Sequence, residues 1–133
     1  MNLKKMDWDK AKKLCEAMTE EDDELTREMV SRLADKWSLW TLAVLAEAGG
    51  PLRFSRVMEH VQGISQKSLT KTLRGLERDG LATREVFAEV PPRVEYAITD
   101  FGVAFLDQVA PLWAWVAKSV DKFKKARAEF DRR

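Results

Sequence analysis

The order of hydrophobic and polar residues predicts a mainly helical chain. Before residue 80, apolar residues recur every three or four positions, which is the spacing of amphipathic helices. On this basis helices are predicted over 7–18, 20–33, 36–48, 54–61 and 66–79. The helix 36–48 is apolar on all sides, as is typical of a helix buried at the centre of a domain.

Residues with strong positional preferences mark the ends of these helices. Thr19 and Ser65 are expected to cap the helices that follow them, because a hydroxyl oxygen there can accept a free amide of the first turn. Gly63 lies between two short helices, where the turn needs a left-handed backbone conformation. The helices 54–61 and 66–79 therefore form a predicted helix-turn-helix.

A β-hairpin and a long helix follow. Alternating apolar residues predict paired strands over 82–87 and 93–98. Thr99 is expected to cap a helix that runs to about residue 120, with a kink at Pro111 because proline cannot donate the backbone hydrogen bond. The mostly charged tail 121–133 is expected to fray. The predicted fold class is mainly α with a small β-hairpin, arranged as a winged helix-turn-helix.

The predicted helix 66–79 has two chemically distinct faces. Four residues on one side can hold the helix against a core: Leu69, Thr72, Leu73 and Leu76. Four cations fall on the opposite side: Lys67, Lys71, Arg74 and Arg78. A helix that reads the DNA major groove needs this division, with one face packed on the protein and the other basic.

The charges are concentrated where such a helix would need them. The whole chain of 133 residues has a net charge of only +1. Residues 53–84 nevertheless hold seven Lys or Arg against three acids, a balance of +4. Residues 1–28 hold six Lys or Arg against nine acids, a balance of −3. The surplus positive charge therefore coincides with the helix-turn-helix, as a phosphate-binding surface requires.

Other functional classes receive no support from the sequence. A single cysteine excludes an internal disulfide and a cysteine-based zinc site. His60, the only histidine, has no metal-ligand partner at a suitable spacing. No catalytic motif and no apolar run of membrane-spanning length occurs. We expect a cytoplasmic protein without a cofactor, a metal, a membrane partner or enzymatic activity.

Several motifs together resemble the HxlR-type family of bacterial and archaeal winged-helix regulators. They are the runs ISQKSLT, DGL and PPRVEY, with Lys36-Trp37 and Arg53-Phe54-Ser55 upstream. The resemblance implies a homodimeric transcription factor that binds an inverted-repeat operator, with N- and C-terminal helices forming the dimer. Many members carry a sensor cysteine in a Cys-Pro pair shortly before Lys-Trp; here Cys15 is followed by Glu16 and lies farther upstream.

The residues expected to contact DNA fall into three groups. The first turns of helix 66–79 would enter the major groove, and the wing tip 88–93 and the start of helix 54–61 would hold the backbone. Arg56 could hold the backbone together with Arg53 and Ser55. Arg93, beside the rigid tip, is the favoured wing contact, with Arg78 and Arg84 as weaker candidates. The predicted contacts are Ser65, Gln66, Lys67, Ser68, Thr70, Lys71, Arg74, Arg53, Ser55 and Arg93.

The flanking helices carry the predicted dimer interface. It comprises Trp8, Cys15, Met18, Leu106, Trp113 and Trp115, since a small monomer has little room to bury five tryptophans. For Cys15 there are two interpretations. One is a redox sensor that releases DNA on oxidation, and the other, which the apolar surroundings favour, is a buried or interface cysteine.

We therefore predict one domain spanning 1–133. It has N-terminal dimerisation helices over 1–33, a winged helix-turn-helix core over 34–99, a C-terminal dimerisation helix over 100–120 and a charged tail over 121–133. Two alternatives stay open. The first is a regulator gated by a small-molecule or electrophilic effector through a Trp-lined pocket. The second is a protein-interaction module that kept the fold and lost DNA binding.

Overall fold

A computed structural model describes residues 2–33 and 35–133, with side chains from residue 8 onward. The helices are α1 Asn2–Glu16, α2 Glu20–Ser31, α3 Lys36–Ala48, α4 Phe54–His60, α5 Gln66–Arg78, α6 Asp100–Lys118 and α7 Val120–Asp131. The strands are β1 Leu52–Arg53, β2 Ala82–Phe87 and β3 Arg93–Ile98. The mainly helical fold with a small antiparallel sheet is thus confirmed. No helix in the described ranges is long and apolar enough to cross a bilayer.

The chain divides into two compact units, one up to Asp35 and one from Lys36 onward. The first unit consists of α1 and α2. Thr19 caps α2 as predicted, since its hydroxyl oxygen accepts a hydrogen bond from the Asp22 amide at 3.2 Å. Thr26 on α2 donates to the sulfur of Met18, in the turn between the two helices, at 3.3 Å. None of the α2 residues is buried, so this unit has little core of its own.

The second unit is built around α3, as its apolar sequence predicted. Its core consists of Leu42, Val44, Leu45, Val57, Val61, Ile64, Leu69, Leu73, Leu76, Leu81 and Ala82. These residues come from α3, α4, α5 and the hairpin, so the helix-turn-helix and the wing share one core. Trp40 departs from the all-buried pattern, because it lies on the outer side of α3 and is 37% exposed.

The sheet has a third strand that the sequence pattern did not indicate. Its order is β1-β3-β2, with both pairings antiparallel. In β1, Leu52 pairs with Tyr96 and Arg53 with Glu95. Arg53 is therefore a strand residue rather than part of the following helix. A strand of two residues is too short to give a readable alternation.

Three predicted backbone features are present where the wing and helix-turn-helix meet. Gly63 has φ +84°, so the turn before α5 uses the left-handed conformation that glycine tolerates. Ser65 caps α5, and its oxygen accepts the Ser68 amide at 3.1 Å. Thr99 caps α6 by accepting the Gly102 amide at 2.9 Å, and its hydroxyl donates to the Gly80 carbonyl at 2.7 Å. Thr99 thus ties α6 to the turn after α5.

The C-terminal region differs from its prediction in one respect. The helix α6 runs through Pro111 and ends close to the predicted residue 120, at Ser119, whose amide bonds to the carbonyls of Trp115 and Val116. The kink at Pro111 stays a prediction. The tail predicted to fray forms α7, where the Phe123 ring packs edge-on against Trp115 with centroids 6.1 Å apart.

Candidate nucleic-acid interface

The helix α5 is held down by its leucines. Leu69, Leu73 and Leu76 are almost completely buried and belong to the core that α3 organises. Burying a leucine side chain contributes about 1.5–3 kcal/mol, so three such residues fix the rotation of α5 about its axis. That rotation decides which residues face outward.

The outward face of α5 carries cations that are available to an external partner. Lys67, Lys71, Arg74 and Arg78 are all exposed. Among the residues that the structure describes, Lys67, Lys71 and Arg74 form no ion pair. Arg56 on α4 differs, because its guanidinium lies 3.2 Å from the Glu59 carboxylate. The α5 cations therefore keep their full charge for phosphates or base edges.

The first turn of α5 combines these cations with hydrogen-bonding groups. Gln66 and Thr70 are exposed and Ser68 is half-buried. The Thr70 hydroxyl donates to the Gln66 carbonyl at 2.8 Å, so it faces an outside partner mainly as an acceptor. The free amides of the first turn and the positive end of the helix dipole add to the attraction for an anion.

The start of α4 lies beside the wing tip. Arg53 and Ser55 are exposed and line a hollow of about 450 Å³ together with residues 89–94 of the wing. The residues predicted to hold the DNA backbone thus come from two places in the sequence and meet at one surface. The pairing of β1 with β3 brings them together, which the sequence pattern did not reveal.

Arg93 does not present the free cation that the sequence predicted. Its guanidinium lies 3.3 Å from the Glu89 carboxylate and 3.3 Å from the Glu95 carboxylate. It also stacks over the Phe87 ring, with 4.0 Å from Cζ to the ring centroid. Arg93 is therefore neutralised within the wing, and only 27% of its side chain is exposed. Both acids are close to Arg93 in the sequence, two and four positions away, and the prediction of a free cation did not take them into account.

The residues predicted to form a dimer differ in their exposure within one chain. Trp8, Trp113 and Trp115 are 70%, 64% and 56% exposed. Cys15 is also exposed, whereas Met18 and Leu106 are half-buried. The exposed indoles leave large apolar surfaces in water, which is costly unless another surface covers them.

Cys15 lines a hollow of about 690 Å³ between α1 and α2. Lys12 and Arg27 also line it, so two cations are near the thiol. The Asp23 carboxylate accepts a hydrogen bond from Arg27 at 3.0 Å and raises the pKa of Arg27 above its usual value. The prediction of a buried cysteine is wrong for the single chain, because α1 and α2 alone are too small to cover the sulfur.

A second hollow lies between α3 and α6 and has a volume of about 480 Å³. Its lining is nearly all apolar, with one carboxylate, and consists of Leu39, Trp40, Ala43, Ala46, Glu47, Leu106, Val109, Ala110 and Trp113. Two tryptophans therefore face one cavity, as the alternative of a Trp-lined pocket requires. The sequence pattern could not show that these two indoles share a cavity, because residues 40 and 113 belong to different helices.

No cluster of three or more potential metal ligands occurs in the described part of the chain. His60 is exposed at the end of α4, and its Nδ1 lies 2.8 Å from the Arg56 carbonyl oxygen. This local contact accounts for the orientation of the imidazole.

Comparisons with known proteins agree with this geometry. Residues 32–124 match the HxlR-like helix-turn-helix family. An HTH-type transcriptional regulator of Methanothermobacter thermautotrophicus, itself uncharacterised, is 42% identical over 86 residues. That match covers 65% of this chain and 64% of the archaeal protein, so this chain spans just under two thirds of that relative.

For two further proteins, the similarity to this chain covers a larger share of their own length. The HTH-type transcriptional regulator YtfH of Escherichia coli, also uncharacterised, is 33% identical over 104 residues, which is 78% of this chain and 81% of YtfH. The reduced form of the transcriptional regulator YodB from Bacillus subtilis has a similar structure, with a TM-score of 0.61 and 31% identity. That similarity covers 74% of this chain and 92% of the YodB chain.

Proposed function

Because the chain belongs to the HxlR-like helix-turn-helix family of transcriptional regulators, we propose that it binds an inverted-repeat DNA operator as a homodimer. In this proposal α5 lies in the major groove, and the α4 start and the wing tip lie along the phosphate backbone. Base-edge and phosphate contacts come from Ser65, Gln66, Lys67, Ser68, Thr70, Lys71 and Arg74, with backbone contacts from Arg53 and Ser55. Arg93 joins them only when it leaves its partners in the wing.

The free cations of α5 are the observation that carries this proposal. Lys67, Lys71 and Arg74 are exposed and form no ion pair within the described residues. An acid three or four positions away can pair with a lysine or arginine on a helix. Lys67 and Lys71 have no acid at these positions, and Arg74 forms no ion pair with Glu77, which is three positions away. These cations can therefore pair with a polyanion.

The exposed tryptophans support the dimer. Trp113 and Trp115 are exposed and lie in the C-terminal half of α6, and Trp8 is exposed on a helix pair with little core of its own. A two-fold contact between these surfaces would remove them from water and place two α5 helices about one helical turn of DNA apart. The dimer interface proposed is therefore Trp8, Cys15, Met18, Leu106, Trp113 and Trp115.

Alanine variants of α5 test the proposal. Each of Lys71→Ala and Arg74→Ala should weaken DNA binding by about 1–3 kcal/mol while the melting temperature stays unchanged. Arg127→Ala is the matched control, because Arg127 is an exposed cation of α7 to which the proposal assigns no DNA contact. Binding that is unchanged in the α5 variants would favour a protein-interaction module that has lost DNA binding.

The hollow between α3 and α6 favours a second candidate, in which an apolar effector gates this regulator. Trp40 and Trp113 flank the cavity, and its volume of about 480 Å³ lies within the range of small-molecule sites. Intrinsic tryptophan fluorescence tests this idea. An apolar aromatic compound that quenches wild-type fluorescence should have much less effect on the Trp113→Phe protein. Equal quenching would show that the compound binds elsewhere.

A redox response through Cys15 makes a separate prediction. If Cys15 is the sensor, Cys15→Ser should keep DNA binding and abolish diamide-induced release. Release that persists in the Cys15→Ser protein would leave Cys15 with its interface role alone.

A further inference from the structure

The wing carries a net negative charge, which is unfavourable beside a DNA phosphate backbone. Between residues 82 and 98 it has two arginines, at 84 and 93, and three glutamates, at 85, 89 and 95, so its net charge is −1. A phosphate backbone repels such a surface. One of its two cations, Arg93, is bound to two of the three glutamates. The orientation of Arg93 therefore decides whether the wing tip offers a cation to a phosphate.

The two glutamates hold Arg93 in different ways. Glu95 is on the same strand, and its side chain is only 22% exposed, so the contact to Arg93 Nε is mostly shielded from solvent. Glu89 is at the tip, and its side chain is 50% exposed. It faces the Nη1 end of the guanidinium at 3.3 Å. Glu89 therefore occupies the end of Arg93 that an external anion would approach.

The contacts of Arg93 leave hydrogen-bonding capacity unused. Its Nε is buried and makes no well-aligned hydrogen bond, although Glu95 Oε2 lies 3.3 Å away. Both ion-pair distances are longer than the 2.7–2.9 Å of a strong charge-assisted hydrogen bond. Half-exposed pairs of this kind are weak, so a phosphate can compete with Glu89 for the outer nitrogens.

We propose that Glu89 is a positioning residue that limits DNA affinity by holding Arg93 within the wing. When glutamine replaces Glu89, the outer end of Arg93 turns to the nearest phosphate. Glu95 and the Phe87 ring keep the inner end of Arg93 in place. This inference rests on the proposed DNA-binding function and adds to it. In the free protein, the Glu89 carboxylate thus keeps the Arg93 guanidinium from contacting DNA.

The experiment measures the binding of a fluorescein-labelled duplex of mixed sequence, about 30 base pairs long, to the full chain by anisotropy. Salt is varied between about 50 and about 200 mM. The variants are Glu89→Gln, Arg93→Gln and their combination. Glu85→Gln is the matched control, because it removes one negative charge from the wing at a residue that forms no ion pair with Arg93.

Glu89→Gln should bind about three- to ten-fold more tightly, and its plot of log K against log salt should be steeper by about one unit per wing. Glu85→Gln should give a smaller gain with little change in slope. In the Arg93→Gln background, Glu89→Gln should tighten binding no more than Glu85→Gln does in the wild type. This contrast separates release of Arg93 from simple loss of a repelling charge.

Two results would overturn the proposal. One is a Glu89→Gln slope equal to that of the wild type, which decides the matter even if Arg93→Gln fails to fold. The other is an equal gain from Glu89→Gln with and without Arg93. After either result, the proposed DNA-binding function would still hold if Lys71→Ala weakens the binding of DNA. A wild-type protein that binds no DNA would overturn both.

Discussion

The effect of Gly102→Ala on the free energy of unfolding tests how closely α6 packs against the hairpin. Gly102 lies in the first turn of α6 and is buried. A methyl group added there would collide with the Leu81 carbonyl oxygen and come within 2.7 Å of Ile98 Cγ1. The Leu81 carbonyl is backbone and also accepts the Thr99 amide at 3.1 Å, so it cannot move aside freely.

The magnitude for Gly102→Ala follows from two opposing effects. Replacing glycine by alanine in a helix gains at most about 1 kcal/mol from propensity. Overpacking costs about 1–3 kcal/mol, and weakening the Thr99 to Leu81 hydrogen bond adds about 1 kcal/mol. We therefore expect a net loss of about 2 kcal/mol in the free energy of unfolding.

Guanidinium unfolding at fixed protein concentration, followed by circular dichroism, measures this loss. Gly50→Ala is the control, because no atom lies within 4 Å of the added carbon and the backbone there is not left-handed. That variant should be neutral or slightly stabilising. A Gly102→Ala protein as stable as the wild type would refute the close contact between α6 and the hairpin.

Three further predictions concern the cap, the dimer and the thiol. Ser65→Ala should reduce the free energy of unfolding by about 1 kcal/mol, since the Ser68 amide loses its acceptor; an unchanged midpoint in denaturant would argue against that cap. Trp113→Ala should weaken the dimer about ten-fold or more in analytical ultracentrifugation, as expected for a central interface indole, whereas Phe130→Ala, an exposed aromatic on α7, should not; a wild-type monomer at all concentrations would contradict the proposed interface. Cys15 should react with a thiol reagent more slowly as protein concentration rises, because dimerisation covers it; a rate independent of concentration would place the sulfur outside the interface.

The sequence predicted the structure best where interactions between residues three or four positions apart determine the local conformation. The leucine spacing of α5 and the hydroxyl groups of Thr19, Ser65 and Thr99 predicted the helices and their caps because these interactions span only three or four residues. The basic face of α5 followed from the same periodicity. Its cations are exposed in the structure as predicted.

The errors arose where distant residues meet. The β1 strand exists because Leu52 and Arg53 pair with β3 more than 40 positions later, and no local pattern records that pairing. Arg93 is a different case, because its partners Glu89 and Glu95 are only four and two positions away and a prediction from the wing cation alone left them out. The α7 helix gains a contact to Trp115 that a count of charged residues cannot reveal.

The salt dependence of DNA binding tests most directly whether the cations of α5 bind DNA. For wild type, Lys71→Ala and the control Arg127→Ala, log K is plotted against log salt for one labelled duplex. Loss of a phosphate contact at Lys71 should reduce the slope by about one unit per protomer, with Arg127→Ala unchanged. Superimposable plots for Lys71→Ala and the wild type would contradict a DNA-contacting role for this face of α5.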